Sequence, residues 1–485
     1  MMAAPDGWET IVGLEVHGEL RTETKLFCGC RNRFGADPNT NICPVCLGLP
    51  GSLPVLNRMA VEYAMRIGSA LHCRIQPSIF HRKNYFYPDM PKDYQISQYD
   101  QPINVDGWLG LPDGKRVGIV RAHIEEDTGK TTHIGGRGRI DEATYSLVDY
   151  NRAGVPLVEI VSAPDIRGAE EARAYVEELR AILVATGVSD GKMEEGSLRV
   201  DANVSVRPAR SVDLGTRCEI KNMNSLRSLG RAIEYEAARQ VELIGNGLPV
   251  VQETRHWNET ESKTYSMRSK EEAYDYRYFP EPDLVPLAPP DDWLAAVAES
   301  MPSLPAERRD RVAALAALSS DSEPVVTVVR LDLDGFVVAA ADAGADAALA
   351  VKRLSNEVAA NVDRARELDP AAFSRLVQLE GRGELTTSQA RQVLKQLLDD
   401  GGDPATIARE LGFEAMAASE VAGVVTEVIA ANPAEWSRFV AGEDKLQGLF
   451  VGKIKAATGG RADLTAVAAS LRDRREAERQ GSRPS

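Results

Sequence analysis

The sequence lacks any run approaching the ~20 consecutive apolar residues that a membrane span requires, so no membrane association is expected. Residues 1–10 carry Asp6 and Glu9 and no basic-then-apolar stretch, so no signal peptide is expected either. Cysteine is scarce. Six in 485 residues are too few for a disulfide scaffold, and the expectation is a reduced, cytoplasmic protein. Cation is also in deficit, with 57 Lys and Arg against 72 Asp and Glu, a net charge of −15. That total disfavours phosphate-rich partners. It does not exclude them, because net charge says nothing about placement. From Gly442 to Ser485 the balance reverses locally to +3, from nine Lys or Arg and six Asp or Glu. No repeat of fixed period is present. The remaining composition, 43% apolar and 27% charged, is that of a folded chain of roughly three domains.

The usual nucleotide-binding fingerprints are missing too. Gly129-Lys130-Thr131 looks like the end of a phosphate-binding loop, but the earlier glycine that such a loop needs would fall at Ile124. No Gly-x-Gly-x-x-Gly follows a strand pattern. A nucleotide site would have to be built another way, from carboxylates holding Mg²⁺ on a sheet.

What is present changes character near residue 290. Before it, short strand patterns alternate with turn signals. Residues 10–20 alternate apolar and polar, as do residues 197–207 with Leu198, Val200, Ala202, Val204 and Val206 on one face. Helices are predicted from about Ala169 to Thr186 and from about Leu226 to Ile244. Pro280, Pro282, Pro286, Pro289 and Pro290 close the region, and the chain beyond is Ala-rich and helix-patterned. Gly401, Gly402 and Pro404 mark a second break. The fold class is therefore α+β. The expected domains are a mixed one over residues 1–294, a helical one over 295–404 and a small helical tail over 405–485.

Several patterns carry chemistry. Glu15 and His17 share one face of a strand, with Cα atoms roughly 6.5–7 Å apart, and can bind one metal ion. The bland alternative is an exposed polar strand face. Arg121, His123 and Glu125 repeat the period-2 spacing, followed by Glu126 and Asp127. Three adjacent carboxylates fit a solvated turn or the surroundings of a cation. Glu159 interrupts the apolar run 155–161 and needs a partner or solvent. Arg199, Asp201, Asn203, Ser205 and Arg207 line the polar face of the next strand, and Glu219 and Lys221 that of another. Such faces resemble the floor of a cleft for a phosphate-rich ligand and its metal.

Cys28-Gly29-Cys30 and Cys43-Pro44-Val45-Cys46 have spacing suited to a closed tetrahedral zinc site, which would be structural. Cys73 and Cys218 stand alone and read as core residues. Residues 82–89 and 94–100 interleave aromatic, basic and amide side chains that can stack on bases and bond phosphates.

Taken together, these stretches resemble the GatB family, B subunits of the tRNA-dependent amidotransferases. The resemblance rests on Gly13-Leu14-Glu15-Val16-His17, on the run Cys43 to Gly51, on Lys83 to Asp100 and on Glu125-Glu126-Asp127-Thr128-Gly129-Lys130. It also rests on Asn151 to Ser162, Met193 to Ser197, Glu219 to Ser225 and Asp275 to Pro280, and in the tail on Gly442, Gly448, Gly452 and Lys453. It implies a cradle domain similar to the glutamine synthetase fold, a helical domain and a YqeY-like tail that binds tRNA. It implies partners too: GatA, the glutaminase subunit, GatC, and misacylated tRNA(Gln) or tRNA(Asn). The implied reaction uses ATP to phosphorylate the side-chain carboxylate of Glu-tRNA(Gln) or Asp-tRNA(Asn), and ammonia then displaces phosphate.

Carried onto this sequence, Glu15, His17, Glu125 and Glu159 are the expected Mg²⁺ ligands. Lys83, Glu125, Glu126 and Asp201 are the expected catalytic residues, Glu126 as a near alternative to Glu125. Asn203, Ser205 and Lys221 are expected to bind the nucleotide. Cys28, Cys30, Cys43 and Cys46 are expected to hold zinc. No Ser- and Gly-rich amidase signature and no catalytic Cys–His pair is visible, so ammonia must come from a partner. The rival expectation is a zinc-ribbon tRNA adaptor without catalysis.

Overall fold

The computed structural model describes residues 7–135, 143–269, 276–365, 367–413, 418–458, 462 and 464–481. Asp275, and the run 459–463 apart from Ala462, lie outside the described residues. The chain divides into two compact units, residues 1–306 and 307–485.

The first unit is built on a large sheet. In chain order its strands are β1 (Trp8–Glu19), β2 (Arg74–Ile75), β3 (Phe80–Asn84), β4 (Tyr94–Gln98), β5 (Asn104–Gly110) and β6 (Arg116–Glu126). Then come β7 (Lys130–Ile134) and β8 (Tyr145–Asp149), which form a separate hairpin, and β9 (Pro156–Ser162). The series closes with β10 (Leu198–Pro208), β11 (Cys218–Met223), β12 (Glu253–Asn258), β13 (Lys263–Ser269) and β14 (Phe279–Pro280). The spatial order is β13-β12-β11-β10-β1-β9-β6-β4-β3-β14, with β5 joining β6 and β2. All pairings are antiparallel except β11 with β12.

The alternation in β1 sets the two faces. Val12, Leu14 and Val16 are buried together with Val200, Ala202 and Val204 of β10. Helices α1 (Arg58–Ala70), α2 (Ala169–Ala185) and α3 (Leu226–Gly245) cover this side. Ala64, Met65, Val176, Leu179, Leu183, Leu229 and Ile233 complete one core. Each fully buried Val or Leu side chain contributes about 1.5–3 kcal/mol. Asn57 and Ser225 start α1 and α3 by accepting the backbone N–H of Met59 and Ser228. The buried Asn104 ties α1 to the sheet, donating to the carbonyls of Ala64 and Ala122. Gly68 makes room for it, since a Cβ there would stand 2.0 Å from Asn104 Oδ1. With helices on one face, the polar residues of alternate positions remain on the other.

Both expected long helices form within two residues of their expected ends. The helix after the proline run, α4 (Asp291–Glu299), belongs to the first unit rather than to the helical region. Val297 lies in the sheet core, and Arg58 stacks over Trp293.

The described elements of the second unit are all helical. It has two cores, one between Val312 and Ala408 and one between Val425 and Leu471. Ile407 and Ala408 pack into the first, so the Gly401-Gly402 break does not separate them. Among the described residues no helix is long and apolar enough to cross a membrane.

Candidate active site and a four-cysteine cluster

The open face of the sheet gathers residues that are far apart in sequence. Register places Arg199, His17, Glu159 and His123 side by side on β10, β1, β9 and β6. One step along, Asp201 stands opposite Glu15. Directly opposed residues bring side chains within roughly 5 Å at Cβ, so these rows are in contact by construction.

His17 Nε2 lies 3.6 Å from Glu125 Oε1 and 3.7 Å from Glu159 Oε2. His123 Nε2 lies 3.3 Å from the same Glu159 oxygen. Ser97 Oγ donates to Glu125 Oε2 at 3.3 Å. One ligand atom from each of His17, Glu125 and Glu159 falls within 4.8 Å of the others. Glu125 and Glu159 are 3% and 8% exposed, and two buried carboxylates this close favour a shared cation. Two carboxylate oxygens suit a hard divalent ion, and the imidazole adds a nitrogen donor. Burial opposes ionisation of Glu159, but His123, His17 and Lys83 outweigh it and hold its carboxyl well below the usual range.

Glu15 differs. Burial, with Glu159, Glu219 and Asp201 nearby, pushes its carboxyl up against the opposing charge of Lys221. It accepts from Asn203 Nδ2 at 2.9 Å. Lys221 Nζ lies 2.6 Å from Asp201 and 3.2 Å from Glu219. Burial alone would lower Lys221, but these two carboxylates hold it above the ordinary lysine value. Burial likewise opposes Lys83, and Glu125 and Glu159 raise it.

The cleft above this floor has a volume of about 870 Å³. Glu15, His17, Lys83, Glu159 and Lys221 line it, with Tyr85, Tyr87, Tyr99, Tyr276 and Tyr278 forming an aromatic wall. Tyr99 stacks on Tyr278 with centroids 4.1 Å apart. Acidic floor, flanking cations and stacking rings together suit a divalent metal, polyphosphate and nucleobases.

Not every expected residue reaches this cleft. Asn203 and Ser205 line a smaller recess beside it, of about 160 Å³, with Glu15 and Arg217. Arg207 pairs instead with Glu9 at 2.7 Å. Glu126 faces away from Glu125, as adjacent strand residues must. It pairs with Lys92, accepts the N–H of Ile96 at 2.9 Å and lines a recess with Cys28 and Cys46. Asp127 accepts from Arg199 at 2.6 Å. The three adjacent acids are therefore all buried, each with its own partners, and form no solvated turn.

The four cysteines converge, with sulfur atoms within 4.8 Å of one another. A tetrahedral zinc with Zn–S of about 2.3 Å requires sulfurs somewhat under 4 Å apart, so the set fits the metal. The N–H of Cys43 points at Cys46 Sγ at 3.1 Å. The Cys46 thiol is pulled down to about 5, chiefly by Cys28 and against burial, with help from the Cys43 N–H and Lys25. All four ligands are committed to one another, which makes the site structural in character.

Residues 10–295 match the GatB/GatE catalytic domain, and residues 335–474 match a GatB domain of YqeY type. The chain belongs to the GatB family. The second match begins well before the tail, so YqeY likeness is not confined to residues 405–485. Among relatives, the aspartyl/glutamyl-tRNA(Asn/Gln) amidotransferase B subunit from Carboxydothermus hydrogenoformans is 46% identical over 478 residues, covering 96% of this chain and 98% of its own. The Frankia casuarinae protein of the same name is 48% identical, covering 96% and 95%. That of Gloeobacter violaceus is also 48% identical, covering 95% and 85%. Against this GatB background the cleft includes residues to which the sequence pattern assigned no role: Arg217, Gln252, Thr254 and Met267. Arg217 precedes β11 and Gln252 precedes β12, and no periodicity marks either one.

Proposed function

We propose that the chain is the B subunit of a tRNA-dependent amidotransferase that activates the side-chain carboxylate of misacylated Glu-tRNA(Gln) or Asp-tRNA(Asn) with ATP and converts it to the amide. The observation that carries this reading is the convergence of His17, Glu125 and Glu159, with His17 and Glu159 lining one large cleft together with Lys83, and Glu125 buried beside them. A tRNA adaptor has no need of such a set.

A carboxylate is a poor acyl donor until it gains a leaving group, and phosphoryl transfer depends mainly on positioning and charge neutralisation. His17, Glu125 and Glu159, with Glu15 beside them, would hold Mg²⁺, which when bound neutralises phosphate charge. Lys83 and Lys221 contribute fixed cations on either side of that floor. Asn203 and Ser205 offer the adjoining recess to the nucleotide, and Asp201 keeps Lys221 oriented. The cradle reading, a sheet similar to that of glutamine synthetase, is supported by the single open polar face. Cys28, Cys30, Cys43 and Cys46 would hold a structural zinc. Ammonia would come from GatA, with GatC completing the complex in the cytoplasm. Closure of the cleft must keep water from an acyl phosphate.

The reading is tested by amidation assays of the reconstituted complex with both misacylated tRNAs. Formation of neither Gln-tRNA(Gln) nor Asn-tRNA(Asn) would refute it.

The tail reading needs a shifted cut. Because Ile407 and Ala408 belong to the preceding core, the chain should end at Phe413. Such a chain is expected to lose use of misacylated tRNA on the order of tenfold, through lost phosphate contacts, while glutamine hydrolysis by the complex is kept. Equal loss of both would make the tail a structural element. Not all of its positive charge is available for tRNA. Arg475 pairs with Asp444, Arg474 donates to Thr426, and Lys453 bonds Asn432, fastening the helices together.

A further inference from the structure

Gln98 closes β4 and is 2% exposed. It stands where the sheet divides. β4 meets β6 at Ser97 and Glu125, and β5 takes β6 over at Asn104 opposite Ala122. In that gap Gln98 Oε1 accepts the backbone N–H of Ile124 at 3.0 Å and of Ile103 at 3.4 Å. Both partners are donors, so the amide oxygen must face them and the orientation of the amide is fixed. Nε2 is thereby left at the other end. It is buried and has no acceptor among the described residues. Gln98 also lines the cleft, in company with His17, Lys83, His123 and Glu159. A buried donor without an acceptor is costly, and such a group is explained when a ligand supplies the acceptor.

We propose that Gln98 Nε2 is the oxyanion donor for the side-chain carboxyl group of the aminoacyl substrate. This rests on the amidotransferase reading of the cleft. A carboxylate has two oxygens with different fates. One attacks the γ-phosphorus of ATP, and ADP leaves. The other stays as the carbonyl oxygen and takes the N–H of Gln98. When ammonia adds to the acyl carbon, that oxygen becomes an oxyanion, and the fixed donor binds it more tightly. The adduct then passes a proton from nitrogen to the phosphate oxygen as the C–O bond to phosphate breaks, so monohydrogen phosphate leaves and the oxyanion re-forms the carbonyl of the amide. A preoriented neutral N–H suits this step, because it needs no rearrangement as the charge develops.

The structural role of Oε1 can be separated from the proposed role of Nε2. Gln98→Glu keeps an acceptor for Ile103 and Ile124 and removes the donor. Gln98→Met removes both without adding charge. Each is assembled into the full complex, and thermal unfolding and glutamine hydrolysis report its integrity. Expected is a fall of roughly 10²-fold or more in kcat for amidation of misacylated tRNA, with the KM for ATP unchanged. Full amidation activity in folded Gln98→Glu would reduce Gln98 to a plug in the sheet and overturn the proposal. A rise confined to the KM for ATP would give the donor to a nucleotide phosphate and overturn it equally. Glu125→Gln, measured alongside, separates the two levels. If that variant is inactive and Gln98→Glu is fully active, only the donor assignment fails. If both are fully active, the reading of the cleft itself fails.

Discussion

Glu125→Gln is expected to abolish ATP-dependent amidation while tRNA binding persists. The glutamine keeps the volume of the side chain and can still accept from Ser97 Oγ, so packing is preserved. What it removes is one of two buried carboxylates that approach His17 from β6 and β9. Glu159 alone retains partners in His123 and Arg121, so the variant keeps a neutralised core rather than an orphaned charge. Loss of one group that organises charge in a phosphoryl-transfer site costs on the order of 10²–10³ in rate, and loss of a metal ligand costs at least as much. The measurement is amidated tRNA formed with glutamine and, separately, with ammonium chloride as nitrogen source. The second arm bypasses the glutaminase, so failure in both places the defect in this subunit. Full activity with either source would sink the assignment of the acidic row to catalysis.

Much of this site was legible in the sequence, for a local reason. A strand shows its two faces in alternation, so Glu15 with His17, His123 with Glu125, and Asp201 with Asn203 declare themselves by spacing alone. The same rule assigns Glu126 to the far face, where it meets Lys92. The resemblance to a family drew attention to Glu126 as a neighbour of Glu125, but adjacency within a strand separates side chains. Register between strands was not legible. That Glu159 lies beside both His17 and His123 depends on how β9 inserts between β1 and β6, and no local pattern encodes that order.

Domain limits pose a different problem. The proline cluster before residue 291 is a genuine turn signal, yet Trp293 and Val297 supply apolar surface that the sheet core buries. A break in chain conformation is not a break in packing. The same holds at Gly401-Gly402, beyond which Pro404–Glu410 forms a further helix on the existing core.

Metal analysis of the purified protein is expected to find about one zinc per chain, and Cys46→Ser is expected to lose it. Cys46 is the most enclosed of the four ligands, 4% exposed, and it receives both the Cys43 N–H and the influence of Lys25. The insert that carries the cysteines is otherwise fastened by polar contacts. Asn41 and Asn39 bond Asn151, Asp149 and the carbonyl of Val148, and the buried Lys25 spans from Asn41 to Tyr150 through their carbonyls. Few apolar side chains back it, so the metal must supply much of its order. Structural zinc binds with about 10–16 kcal/mol in small isolated domains, where binding and folding are the same event. Here only part of that is felt by the larger unit. A coupling of about 3 kcal/mol would lower Tm by roughly 5 °C in a unit of this size. The effect also reaches the cleft, because Glu126 lines the recess beside Cys28 and Cys46 while its neighbour Glu125 faces His17. Loosening the insert should therefore slow amidation as well as destabilise the protein. Limited proteolysis should find new cleavage between residues 30 and 52 in Cys46→Ser, and prolonged chelation should reproduce it in the unmodified chain. A purified protein that holds no zinc yet resists cleavage there would show that four packed thiols are enough.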